Sequence, residues 1–285
     1  MKDNLLKAKG ANMLDKANKT IEKILNAETP KQELAVEVFK QNVVDLIGRK
    51  IKGYIMAGEL SLPQDYSVNN ALKEAWLVLL RVKDRQGKPV LHFCTKPSIV
   101  NTLLNMVILG LNPINDQIYF IPYGDQLTCQ ISHLGLMAVA KRVNPLIYNF
   151  HYGIVYEEDE FEYEILNGEK MIQKHKQSLR NINKEKIQGA YCTVDSRGST
   201  GIGIFFDLGI KTKTEIMTFE EIKQSWKQSI QRPIDEHGNV RPDTTHGKFT
   251  AEMCLKAVIS KCCKVLMKPS SDNAFLLKTL EEVED

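Results

Sequence analysis

Apolar residues in the first third of the chain recur at helical spacing. From Pro30 onward, Leu34, Val38, Val43, Leu46 and Ile47 return at near-helical intervals, and residues 68–82 carry Ala71, Leu72, Ala75, Trp76, Leu79 and Leu80 in the same way. Each stretch predicts a packed helix. After turn residues 86–89, residues 90–94 predict a short strand. The run KPSIVNTLLNMVILGLNP predicts a helix with Ser98 as N-cap and Gly110 near its end. The period then changes. Residues 118–122 and 127–131 flank Tyr123-Gly124-Asp125 as a hairpin, and a short helix over 134–142 ends before Asn144-Pro145. Alternation resumes over 147–156, 161–166 and 171–172, with Asn167-Gly168 as a turn, and 189–208 predicts a further hairpin turning at 195–198. Thr218-Phe219-Glu220-Glu221 has the form of a capping box that opens a helix through Trp226. Residues 231–247, nearly devoid of apolar side chains, predict a loop free to move. A long helix over 249–267 follows, stopped by Pro269, with Leu255, Val258, Ile259, Cys262 and Leu266 as its buried stripe.

This order of helices, a strand-rich centre and a long helix predicts the α+β class: N-terminal helices, central antiparallel β-hairpins with a short helix, and a long C-terminal helix. Residues 1–30, polar and rich in Lys and Asn, read as a flexible arm. Residues 31–270 read as the core. Residues 271–285, ending in TLEEVED, read as an acidic tail.

The length of 285 residues and the 43% hydrophobic content allow a sizeable core. No apolar run approaches the roughly 20 residues of a membrane span, and the start has no signal-peptide pattern, so the expectation is a soluble, cytoplasmic protein. The six cysteines include no CxxC and no zinc-ligand spacing with histidine, which leaves them as reduced core residues. A net charge of +3 does not by itself indicate a nucleic-acid binder. Its distribution is more informative.

On the long helix, Lys256, Ser260, Lys264 and Lys268 form an i+4 ladder away from the apolar stripe, with Lys261 nearby. Such a row can follow a phosphate backbone, and it is equally what a solvated helix face looks like. Lys141-Arg142 ends the short helix after the hairpin that carries Gln130. These residues can hold phosphate or a base edge, although cations also favour any helix C-terminus. Lys170, Lys174, Lys176, Arg180 and Lys184 suggest a basic segment or a solvated loop. Tyr119, Tyr123, Tyr148, Phe150, Tyr152, Tyr156, Tyr191 and Trp226 offer rings for stacking bases, against the commoner role of core packing. In the run from Glu157 to Glu164, Asp159 and Glu162 raise a magnesium-dependent nuclease as a rival. Against it, Glu160, Glu162 and Glu164 share one face opposite Phe161, Tyr163 and Ile165, the pattern of a half-buried strand. No phosphate-binding P-loop is present, and the histidines show neither metal nor triad spacing.

The stretch LGLNPINDQIYFIPYGDQLTCQISHLGLMAVAKR, residues 109–142, resembles the core signature of the RecT family: an LGL-x-P turn, an IPYG hairpin, a Q-I strand and a G-L-x-x-x-A-x-R helix. VYEEDEFEYE, GAYC and EMCLKAVISKCCKVLMKPSSD resemble later family segments in the right order, so the resemblance spans roughly 98–272. His133 and Ala257 depart from it, standing where relatives often have an aromatic residue and a threonine.

The resemblance implies a phage recombinase of a bacterial host that binds single-stranded DNA and anneals complementary strands without ATP. It would have no catalytic site and no required cofactor, magnesium being at most an aid to annealing. Partners implied are single-stranded DNA and the annealed duplex, further copies of the chain in a ring or helical filament, a 5′ to 3′ exonuclease and a host single-strand-binding protein. Carried over by position, Gln130, Lys141, Arg142, Lys256, Lys261 and Lys264 are candidate DNA contacts, with Trp226 a candidate stacker. A DNA-coating protein without annealing activity is the remaining alternative.

Overall fold

The computed structural model describes residues 29–84, 86–197, 210–229, 231–267 and 274–284, so most of the expected N-terminal arm lies outside the described residues. The chain divides into two compact units, Met1–Lys52 and Gly53–Asp285. Helix α1 (Thr29–Met56) buries Val43, Ile47 and Ile51, an i, i+4, i+8 line. Val38 and Leu46, expected on the packed face, lie off that line and are exposed.

In the second unit, α2 (Val68–Leu79) starts at Ser67, whose side chain accepts from the Asn70 amide, and buries Ala71, Leu72, Ala75, Trp76 and Leu79. Residues 90–94 do not form the expected strand. Pro89 pairs with Lys83 in an isolated bridge, and the chain then closes one helical turn, α3 (Val90–Phe93), with the Cys94 amide on the Val90 carbonyl. Helix α4 (Lys96–Ile108) is capped by Thr95, not Ser98, because Pro97 already occupies the first turn, where its fixed φ and missing N–H cost nothing. Ser98 is instead buried, donating to the Thr95 carbonyl at 2.8 Å and accepting from the Leu127 amide at 3.0 Å. Gly110, at φ +65°, takes the left-handed step that ends the helix.

The next hairpin pairs β1 (Ile118–Tyr123) with β2 (Gln126–Ile131) around Gly124 at φ +61°. Strand alternation puts Ile118, Phe120, Leu127, Cys129 and Ile131 on a buried face, and β2 packs on α4. Helix α5 (His133–Val143) is capped by Ser132, which also donates to the Asp116 carbonyl at 2.6 Å. In its first turn Gly135 lies so close to the Gln117 backbone that an added Cβ would be 2.1 Å from that carbonyl oxygen. Gly135→Ala is therefore expected to destabilise the fold by about 1–3 kcal/mol, through overpacking against an immovable backbone atom. Urea denaturation would show this as a lower midpoint at unchanged slope.

A three-stranded antiparallel sheet has the order β3 (Ile147–Tyr156), β6 (Ile187–Arg197), β7 (Ile210–Thr218). Asp195, Ser196 and Arg197 stay paired to Thr212, Lys211 and Ile210, so no turn forms at 195–197. The rest of the expected hairpin, 198–208, lies outside the described residues. Across this sheet and α5 lies α8 (Thr250–Met267). Its buried face is Cys254, Val258, Ile259, Cys262, Cys263 and Met267, while Leu255 and Leu266 are only half-buried. The predicted stripe is thus rotated by about one residue toward the cysteines. All six cysteines are buried and unbridged.

A separate hairpin, β4 (Glu160–Leu166) with β5 (Glu169–Lys176), turns at Asn167-Gly168, both at positive φ. It is not the half-buried strand expected, because Tyr163, Ile165 and Leu166 are exposed. Thr218 and Glu221 complete the capping box of α6 (Phe219–Trp226). The polar stretch after it is tied together locally: Asp235 accepts from the His237 and Asn239 amides, Ile234 bridges Val240, and Thr244 caps the single turn α7 (Thr245–Lys248). Residues 274–284 form a helix, α9 (Ala274–Glu284), where an acidic tail was expected. Leu276, Thr279 and Leu280 are buried, and the helix contacts β2 and α4. The fold is α+β. Among the described residues no helix is long and apolar enough to cross a membrane.

Candidate nucleic-acid interface

The outward face of the β1–β2 hairpin follows directly from its register. Tyr119 opposes Gln130, Ile121 opposes Thr128, and Tyr123 opposes Gln126, so one side of the ribbon is buried and apolar and the other is tyrosine, glutamine and threonine with Ile121. Tyr119 and Tyr123 are 47% and 41% exposed, which leaves a large part of each ring open to a ligand. Facing this ribbon is the polar side of α8, with Lys256, Ser260 and Lys264 on successive turns.

Between them runs a groove formed by two joined depressions. One, of about 510 Å³, is lined by Asn101 and Asn105 of α4, by β2, by Lys256, Ser260 and Lys264, and by Glu282 and Val283 of α9. The other, of about 640 Å³, is lined by Tyr119, His133, Trp226, His246, Glu252 and Met253 among others. They share Tyr123, Gln130, Lys256 and Ser260. Lys256 and Lys264 are about 12 Å apart along their helix, and Tyr119 and Tyr123 about 13 Å along their strand. Two rows of matching length, one cationic and one aromatic, can hold phosphates and bases of one strand respectively.

Lys256 also acts on the groove floor. The His246 ring is pushed down to a pKa of about 4, first by burial and then by Lys256, and His133 is lowered by the same two causes. His246 is therefore neutral at physiological pH. Its buried Nδ1 has no hydrogen-bond partner, and its ring lies 4.8 Å from that of Trp226.

The structure brings together Gln130, Lys256 and Lys264 and sets Trp226 in the same groove wall. Trp226 is only 4% exposed, edge-on to Phe219 and His246, so little of its face is open for stacking. The other three lie elsewhere. Lys261 points to Glu215 at 3.8 Å. Lys141 donates to the Tyr148 carbonyl at 3.1 Å and lies 5.7 Å from the Phe150 ring centre. Arg142 is turned inward, donating to the carbonyls of Ile108 at 2.8 Å and Ser61, and burial lowers its pKa to about 10. Asn101, Asn105, Gln126, Thr128, His246 and Glu282 were not singled out from sequence. Asn101 and Asn105 had a legible signal, an i, i+4 pair of amides on a mostly apolar helix.

The acidic and basic segments further along are partly paired with each other. Glu160 pairs with Lys174, and Glu157 and Glu158 with Lys186 at 3.4 and 3.2 Å. The Asp159 carboxylate is buried and accepts from the Tyr156 amide, Gln177 and Asn181, with the His175 ring at 3.3 Å. Burial alone would raise its pKa, but these hydrogen bonds outweigh it and hold the group below the usual carboxylate range. Asp159 is thus a structural acceptor with its lone pairs engaged. Among the described residues no group of three or more His, Cys, Asp or Glu side chains is placed to hold a metal.

The RecT family model matches residues 69–284, which include the hairpin, α8 and α9. The chain belongs to the RecT family. This is a family of phage single-strand annealing proteins of DNA recombination, which as a class are not catalytic enzymes. Comparison with curated proteins finds no match. In this RecT-family chain the IPYG segment builds the end of β1 and its turn, with Ile121 and Tyr123 lining the groove, whereas the LGL-x-P segment ends α4 and lines neither depression.

Proposed function

We propose that this groove binds single-stranded DNA and that the protein anneals complementary strands without ATP and without a required cofactor, magnesium at most easing phosphate repulsion. The observation that carries the reading is the meeting of the Tyr119–Tyr123 face with the Lys256–Lys264 row across two adjoining depressions that share Tyr123, Gln130, Lys256 and Ser260. Phosphates bind the lysines, Gln130 donates its amide, and the tyrosines support the bases without reading them. A groove of this length holds a few nucleotides, whereas annealing needs long strands in register. Self-association into a ring or filament follows, in the cytoplasm of a bacterial host, with an exonuclease and a single-strand-binding protein as suppliers of the strand.

The test is incubation with labelled complementary strands and magnesium, without ATP. Duplex is the expected product. Shortened strands would establish a nuclease instead, and strands that are bound but unpaired would reduce the protein to a coating factor. Sedimentation should show assemblies enlarged or reorganised by a long oligonucleotide, and a strict monomer with and without DNA would refute self-association.

A further inference from the structure

The groove is not cationic along its whole length. At its Lys264 end the wall is supplied by the last turn of α9, where Glu282 and Val283 line the same cavity as Lys256 and Lys264. That end of α9 holds no basic residue, and Glu281 and Glu282 stand at a helix C-terminus, where the helix dipole already places negative charge. The dipole therefore disfavours these carboxylates, which Lys278 one turn earlier offsets only from within the helix. Outside it, Lys256 and Lys264 line the same cavity as Glu282 and supply positive charge on that side.

The seat of α9 is small. It buries Leu276, Thr279 and Leu280, sets Phe275 against Tyr54 of α1 at 4.8 Å between ring centres, and contacts β2 and α4. An 11-residue helix is marginal in water by itself, so it persists here through that seat. A strand's phosphates would compete for the same lysines at higher charge density. They would both remove the compensation and repel Glu281 and Glu282.

We propose that α9 is a displaceable anionic cover of the groove, seated at the Lys264 end when DNA is absent and released when a strand occupies the lysines. This rests on the DNA-groove reading above. It adds that the chain carries its own competitor, so that binding to short or weakly held strands is suppressed and the C-terminal segment becomes accessible only on the loaded protein.

Hydrogen exchange of the full chain, with and without a thymidine 30-mer, tests both layers at once. Peptides from β1–β2 and α8 should become protected while residues 274–284 exchange faster. Protection of the groove with unchanged or slowed exchange in 274–284 would make α9 a fixed wall, overturning the cover while leaving the groove intact. No protection in β1–β2 and α8 would remove the groove and the cover together. Independently, Glu282→Gln should tighten binding by about threefold to fivefold at low salt, the effect of removing one carboxylate near a phosphate. The gain should shrink as salt rises, and wild-type affinity in this variant at low salt would also overturn the proposal.

Discussion

Replacing Lys256 and Lys264 together by alanine is expected to weaken single-strand binding by about 5- to 25-fold near 0.1 M salt and to lower the salt slope by roughly 1 to 2 phosphate equivalents. Each phosphate neutralised on a single strand contributes about 0.7 to the slope of log K against log salt, so deleting both ammonium groups lowers it by up to about 1.4. The loss should be uniform across sequences, because neither ammonium reads a base edge. Alanine keeps the helix, so melting should shift by only about 0.5 kcal/mol, with a small added loss where the half-buried Lys256 stem packs. A second signature separates this site from a merely solvated face. Lys256 depresses both His133 and His246, so its removal should raise both histidine pKa values, visible by NMR titration of the ring protons. Parent-like melting with parent-like DNA affinity and annealing would make the lysine row an ordinary wet surface.

How much of this was legible follows from which forces act locally. The lysine ladder was readable because i, i+4 spacing alone puts it on one face, and the exposed tyrosines because strand alternation does the same. Their meeting was not readable, since nothing local says that α8 lies across from β1–β2. The buried stripe of α8 was found but misplaced by about one residue. Leucine outweighs cysteine in any hydropathy count, yet Cys254, Cys262 and Cys263 are fully buried against a sheet that includes Cys192. Thr95 and Ser98 are both good caps, and only the place of Pro97 decides between them, which is why the sequence pattern pointed to Ser98. Helix α9 was hidden by its charge. The Leu276–Leu280 spacing was the available signal, outweighed by four acidic residues in the last five. The α+β class survived all of these errors, because it depends on the order of periods and not on boundaries.

Arg142, a position of the family signature, is held by backbone contacts within the fold. It was a candidate phosphate ligand by position, but its guanidinium is committed to two backbone carbonyls, those of Ile108 at the end of α4 and Ser61 in the segment before α2. It therefore ties the LGL-x-P turn to an earlier loop, beside Tyr66, whose hydroxyl is pushed up by burial while Arg142 pulls it back. Arg142→Ala is expected to cost about 2–4 kcal/mol. It removes two charge-assisted hydrogen bonds and strands a part-buried carbonyl, with the more exposed Ser61 contact contributing less. Arg142→Lys keeps the charge but cannot reach both oxygens at once, so it should recover only part of that loss. Below the melting transition, both variants should retain the parent's salt slope, because no phosphate contact has been removed. Thermal melting beside DNA titration on the same samples decides the matter. A lysine variant that melts like the parent but loses DNA binding would return Arg142 to the nucleic-acid interface, whereas a destabilised variant with an unchanged slope fixes it as a clamp behind the groove.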